Sequence, residues 1–146
     1  MKPIPEKYFN NDKGPRYSAD AILRYLLQER SDAGTYIAGL TTADIFTSKE
    51  VPSSGNKLPL STYKNWGIFG LGLQPGKSNI VSIHRLGTGQ LMVSRLKKIV
   101  IHEVGHNLGL DHCPQPGCVM NDAMESIRTI DRENGELCEA CKRKIN

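Results

Sequence analysis

The segment HEVGHNLGLDH, residues 102–112, holds three of the chain's four histidines. Residues four positions apart share one face of an α-helix, so His102 and His106 would present two imidazoles side by side. Gly109 permits the helix to end sharply, and His112 follows just beyond it. The spacing predicts a zinc ion held by His102, His106 and His112, with a fourth position open to water.

Glu103 lies beside the first histidine on this predicted helix. It can reach a water on the metal without being a ligand itself, which is the geometry of a general base. A zinc ion held by neutral imidazoles lowers the pKa of bound water to about 7 and polarises a substrate carbonyl. The motif therefore predicts hydrolysis of peptide bonds by a zinc-bound water that Glu103 activates.

The eleven residues match the long zinc-binding motif of the metzincins, HExxHxxGxxH. Metzincins also carry a methionine in a tight turn beneath the metal, and Met120 is the candidate for it here. Ordinary core packing, for which methionine is well suited, remains the alternative role for Met120.

All four cysteines lie near the C-terminus, as two pairs: Cys113 with Cys118, and Cys138 with Cys141. Paired cysteines brought together by a loop favour a closed four-thiolate zinc site. Cys113 directly follows His112, and neighbouring side chains in an extended segment point to opposite sides, so two ions could lie close together. Two disulfides in a secreted enzyme, or a redox Cys-x-x-Cys, remain alternatives.

Helical periodicity indicates the elements that position these residues. One helix is predicted from Ser18 or Asp20 to about Arg30, and another from about Gln90 to Leu108. A short helix is expected after Glu136. On the second helix, apolar residues spaced three or four apart predict one buried face: Val93, Leu96, Val100, Val104 and Leu108.

Strands are predicted at residues 36–40, 66–73 and 79–86, and a surface loop at residues 48–63. Glycines in the second strand indicate bulges or close backbone contacts. The third strand is the candidate for pairing with an extended substrate, which His84 and Arg85 could contact. A solvent-facing His-Arg pair is the alternative.

With 146 residues, the chain fits one domain. We expect residues 1–17 to form a surface arm and residues 18–146 a single catalytic domain, of which 110–146 is the cysteine-rich part. The net charge of +4 comes from scattered Lys and Arg, so no nucleic-acid partner is expected.

No apolar run is long enough for a membrane span, and no signal-peptide core is present. Reduced cysteines favour the cytoplasm, although a removed export signal remains an alternative.

The run HEVGHNLGLDHCPQPGCVM, followed by Asp131 and then CEAC, resembles the archaemetzincin family. The resemblance implies a metzincin-like α/β (α+β) fold with a small twisted mixed sheet, an active-site helix and a cysteine-rich C-terminal part. It implies that His102, His106 and His112 bind the catalytic zinc and that Glu103 is the base. It also implies two zinc ions per chain, the second a structural ion bound by Cys113, Cys118, Cys138 and Cys141.

These patterns predict a monomeric zinc metallopeptidase acting on a peptide or protein substrate. The alternative is a zinc-stabilised binding module with weak or no hydrolytic activity.

Overall fold

The computed structural model describes residues 3–29, 32–49, 59–123 and 126–145. The strands are β1 (Phe9–Asn10), β2 (Arg16–Ser18), β3 (Ile37–Thr41), β4 (Ile45–Thr47), β5 (Trp66–Ile68), β6 (Gly70–Gly72) and β7 (Ser78–Ser82). The helices are α1 (Ala19–Glu29), α2 (Leu60–Tyr63), α3 (Gly89–Asn107), α4 (Ile127–Arg132) and α5 (Glu139–Lys142). The predicted α+β class is present, as are the two long predicted helices and the predicted strands at 36–40 and 79–86, with ends shifted by a few residues. The strand predicted at 66–73 is divided into β5 and β6, which belong to different sheets.

Two small sheets carry these strands. One has the order β1-β2-β4-β5 and the other the order β3-β7-β6. In the second sheet, β7 pairs in parallel with β3 and antiparallel with β6. All five residues of β7 are buried. Among the described strands, β7 is therefore central, and β6 and β3 form the two edges.

Helices cover both faces of β7. Ile80 packs in an apolar cluster with Leu23 of α1, whereas Val81 packs in another with Ile99 of α3 and Ile130 of α4. Successive side chains of a strand point to opposite faces, so α1 and α3 lie on opposite sides of the sheet. Helix α3 is thus packed against the same strand that α1 supports from the opposite face.

The buried face of α3 differs from the prediction. Val93, Val104 and Leu108 are 36%, 37% and 46% exposed, while Glu103 and Asn107 are buried. The prediction followed apolar residues only. Leu96 and Val100 do pack against the apolar core, but Val93, Val104 and Leu108 lie toward solvent, because polar residues of α3 occupy part of the face that packs on the sheet.

The predicted surface arm at residues 1–17 also needs correction. After a 3₁₀-helix at Glu6–Tyr8, β1 and β2 pair with each other, and β2 pairs in parallel with β4. The Tyr17 N–H donates to the Asp44 carbonyl at 2.9 Å. Strands of two and three residues are too short to show alternation in sequence, and they depend on pairing with a distant strand.

The predicted loop at 48–63 lies partly outside the described residues, as does the predicted helix end at Arg30. Within the described part of that loop, residues 60–63 form α2. No helix in the described ranges combines the length and apolar character needed to cross a bilayer.

Candidate metal centre

Two histidines on successive turns of α3 present their rings to one point. The Nε2 atoms of His102 and His106 are 3.0 Å apart. Each Nδ1 lies 2.8 Å from a backbone carbonyl, that of Val119 for His102 and that of Leu110 for His106. A carbonyl can only accept, so Nδ1–H donates and Nε2 keeps a free lone pair for a metal.

The third histidine arrives after a sharp helix end. Gly109 has φ +90°, and its N–H donates to the His106 carbonyl at 2.9 Å. The chain then turns back, and the His112 ring centroid lies 5.3 Å from that of His102 and 4.9 Å from that of His106. The ligand atoms of the three residues lie within 4.8 Å of one another. Three imidazoles therefore converge as the spacing predicted.

Burial favours the neutral form of the two imidazoles on α3. Burial lowers the pKa of His102 to about 4, and burial also lowers the pKa of His106. A neutral imidazole is the form that binds a metal ion.

Glu103 is buried beside β6. It is 5% exposed, and burial raises its pKa to about 8, against a hydrogen bond from the Gly72 backbone that acts in the opposite direction. A Cβ atom added at Gly70 would lie 2.5 Å from Glu103 Oε1. The glycines of β6 therefore let the strand approach the carboxylate closely.

The four cysteine sulfurs form a second cluster. The Sγ atoms of Cys113 and Cys138 are 3.8 Å apart, and those of Cys118 and Cys141 are 3.9 Å apart. All four sulfurs lie within 4.8 Å of one another, and all four cysteines are free. Four thiolates 2.3 Å from a tetrahedral zinc ion would be separated by about 3.8 Å. The cluster has the dimensions of a closed thiolate site.

Met120 lies between the two clusters. It is fully buried against Gly105 of α3, and the turn that contains it is closed by the Asn121 N–H donating to the Cys118 carbonyl at 3.0 Å. Its own carbonyl accepts from the Cys113 N–H at 2.8 Å. The turn thus contacts the active-site helix on one side and the cysteine cluster on the other.

A cavity of about 340 Å³ opens beside the histidines. Its walls come from α3, from residues 66–72 of β5 and β6, and from the segment that leads through α4. This places an edge strand, β6, along the site.

The predicted substrate strand was wrong. Both edges of β7 are hydrogen-bonded within the sheet, so it has no edge left for a peptide. His84 and Arg85 lie in a turn beyond β7 and do not line the cavity. Arg85 instead pairs with Asp44 at 2.8 Å, and His84 Nδ1 lies 3.3 Å from the Thr42 carbonyl. The apolar run forms the buried central strand β7, whereas the edge strand beside the cavity is β6.

Comparison with known proteins identifies the family. The sequence profile of peptidase family M54 matches residues 5–146. The chain belongs to peptidase family M54. Membership of family M54 makes the chain a zinc metallopeptidase. Its histidine cluster and its cysteine cluster could each hold a metal ion.

Relatives of this M54 member are archaemetzincins. The archaemetzincin of Haloarcula marismortui is 36% identical over 97% of this chain and 78% of its own length. That of Natronomonas pharaonis is 29% identical over 99% of this chain and 79% of its own length. The crystal structure of the archaemetzincin from Methanopyrus kandleri has a TM-score of 0.77 and 29% identity, covering 97% of this chain and 70% of the other.

Three features of this M54 site escaped the sequence analysis: β6 as the edge strand, Trp66 on the cavity wall, and Glu133. The glycines at residues 66–73 did predict close backbone contacts, so the sequence indicated this part of the site. Glu133 could not be predicted as a cavity residue, because a single acidic residue in a polar segment is typical of a protein surface.

Proposed function

We propose that this chain hydrolyses peptide bonds with Glu103 as the general base. His102, His106 and His112 would hold a catalytic zinc ion. The observation that supports the proposal is the convergence of three imidazoles next to a buried carboxylate in an open cavity, with the two on α3 oriented by backbone carbonyls. Zinc held there would act as a Lewis acid that polarises the scissile carbonyl and makes water more acidic.

The chain's own residues would then move the proton and hold the substrate. The Glu103 carboxylate accepts a proton from the attacking water and later passes it to the leaving amine. An extended peptide could lie along β6, the edge strand beside the cavity, through backbone hydrogen bonds. Met120 supports the floor of the site by packing against Gly105.

We also propose a second, structural zinc ion held by Cys113, Cys118, Cys138 and Cys141. The four thiols lie within 4.8 Å of one another and would supply all four protein ligands of a structural zinc site. Thiols kept free for a metal fit a reducing compartment such as the cytoplasm. All the site residues come from one chain, which fits action as a monomer.

The proposal predicts two zinc ions per chain and cleavage of a mixed peptide library. Metal content would be measured by mass spectrometry on the purified protein, and cleavage by peptide sequencing after incubation with the zinc-loaded chain. An intact library in the presence of two bound zinc ions would contradict hydrolysis and favour a zinc-stabilised binding module.

Gly70→Ala is expected to lower kcat about 10- to 100-fold, because the added Cβ would displace the Glu103 carboxylate. Gly39→Ala is the matched control. It adds the same methyl group on β3, where the nearest atom would be Ile80 Cδ1 at 2.7 Å, so it should lower stability without this drop in kcat. Equal kcat values for Gly70→Ala and the wild type, at equal zinc content, would show that β6 does not restrict Glu103.

A further inference from the structure

A second buried carboxylate faces the cavity, and the proposed proton transfers do not use it. Glu133 follows α4, is 6% exposed, and lines the cavity together with the metal-site residues. Its backbone N–H donates to the Thr129 carbonyl at 3.2 Å. Its carboxylate has neither a hydrogen bond nor an ion pair with any residue in the described ranges. A buried carboxylate without a partner is costly, so a ligand that supplies one would bind favourably.

The surroundings of Glu133 are apolar and adjacent to the metal centre. Ile99, Ile130 and Phe69 line the same cavity and belong to one apolar cluster. Ile99 precedes His102 by three residues on α3, which places it about 4.5 Å along the helix axis from the first metal ligand. This part of the cavity can therefore take the substrate side chain next to the scissile bond.

Two lysines near Glu133 or its cavity contact other groups. Lys98 Nζ donates to the Ile130 carbonyl at 2.8 Å and to the Asp131 carbonyl at 3.4 Å. Lys49, which lines the cavity, lies 4.0 Å from the centre of the Trp66 ring. Lys98 acts to lower the pKa of Glu133, yet burial outweighs it and raises that pKa to about 7. The negative charge of the Glu133 carboxylate is therefore only partly compensated by the lysines of this chain.

We infer that Glu133 makes the pocket beside the metal centre select substrates with a cationic side chain, lysine or arginine, next to the scissile bond. The apolar stem of such a side chain would pack on Ile99 and Ile130 while its charged end reaches the carboxylate. The inference rests on the proposed peptidase function and names the substrate class of that site.

The first test compares peptides that differ at the single residue after the cleaved bond, which is lysine, norleucine or glutamate. The wild type is expected to favour lysine over norleucine in kcat/KM by about 30-fold or more, as for a desolvated charge pair. Glu133→Gln should reduce that ratio to a few-fold. The control Glu136→Gln makes the same change at an exposed position and should preserve the ratio. Equal kcat/KM for lysine and norleucine in the wild type overturns the inference and leaves the proposed hydrolysis standing.

A second test does not require hydrolysis. In Glu103→Gln protein loaded with zinc, calorimetry would give the Kd of the lysine and norleucine peptides, with and without Glu133→Gln. Trp66, the only tryptophan, lines the cavity and would report occupancy by fluorescence. Lysine peptide should bind about 30-fold more weakly once Glu133 is replaced. Equal Kd values in both proteins, or no binding of the lysine peptide, would overturn the inference even if no peptide is cleaved.

Discussion

Replacing Glu103 with glutamine is expected to abolish peptide hydrolysis and leave two zinc ions in each chain. Glutamine has nearly the same shape and can still accept the hydrogen bond from the Gly72 backbone, so the site should stay in place. It cannot take a proton from water at neutral pH. Loss of a general base typically costs about 10²- to 10⁴-fold in rate, and kcat for a cleaved peptide should fall in that range or below detection.

The control is a variant with the same glutamate-to-glutamine change away from the histidine cluster. Glu139→Gln removes an exposed carboxylate at the first residue of α5 and should leave kcat unchanged. Metal content and thermal unfolding of both variants would be measured beside the wild type. A Glu103→Gln protein that holds two zinc ions and keeps kcat within 10-fold of the wild type would rule out Glu103 as the base.

Cys141→Ser is expected to reduce the zinc content from two ions to one and to destabilise the protein strongly. Cys141 is buried in the cysteine cluster, and a serine hydroxyl is a far poorer ligand for zinc than a thiolate. Binding of a structural zinc ion is coupled to folding, so we expect a loss of at least about 3 kcal/mol, or about 10 °C in Tm. Thermal unfolding of the variant and the wild type, each with and without a chelator, would measure this loss of stability.

Ala140→Ser supplies the control, since it adds a hydroxyl at the exposed neighbouring position. It should keep both zinc ions and the wild-type Tm. Thiol titration of the wild type, denatured in chelator, should find four thiols. Fewer thiols would indicate disulfides, and two retained zinc ions in Cys141→Ser would refute the four-thiolate site.

The metal centre could be predicted from the sequence because its geometry is local. His102 and His106 are fixed by helical spacing, and His112 follows from a glycine that turns the chain back. Spacing alone therefore indicated that the three rings converge, whereas the carbonyl of Val119 that orients the His102 ring comes from a later segment. The cysteine cluster was less determined: spacing favoured zinc, but the approach of Cys113 to Cys138 depends on tertiary folding.

The remaining features depend on which elements pair, which local patterns do not encode. An apolar run such as β7 suits either a central strand or one beside a cleft, and only its pairing with β3 and β6 decides. Part of the buried face of α3 was misassigned because Glu103 and Asn107, both polar, lie on the face that packs on the sheet. Glu133 enters the cavity only because α4 packs against α3.

The two helical imidazoles are oriented by main-chain oxygens, those of Val119 and Leu110. Every amino acid supplies the same oxygen, so no substitution at these two positions can delete the contact directly. Both side chains are buried, however, at 0% and 2% exposure. Selection at these positions should therefore act on volume and backbone path, and apolar residues of similar size should be interchangeable there as the lineage diverges.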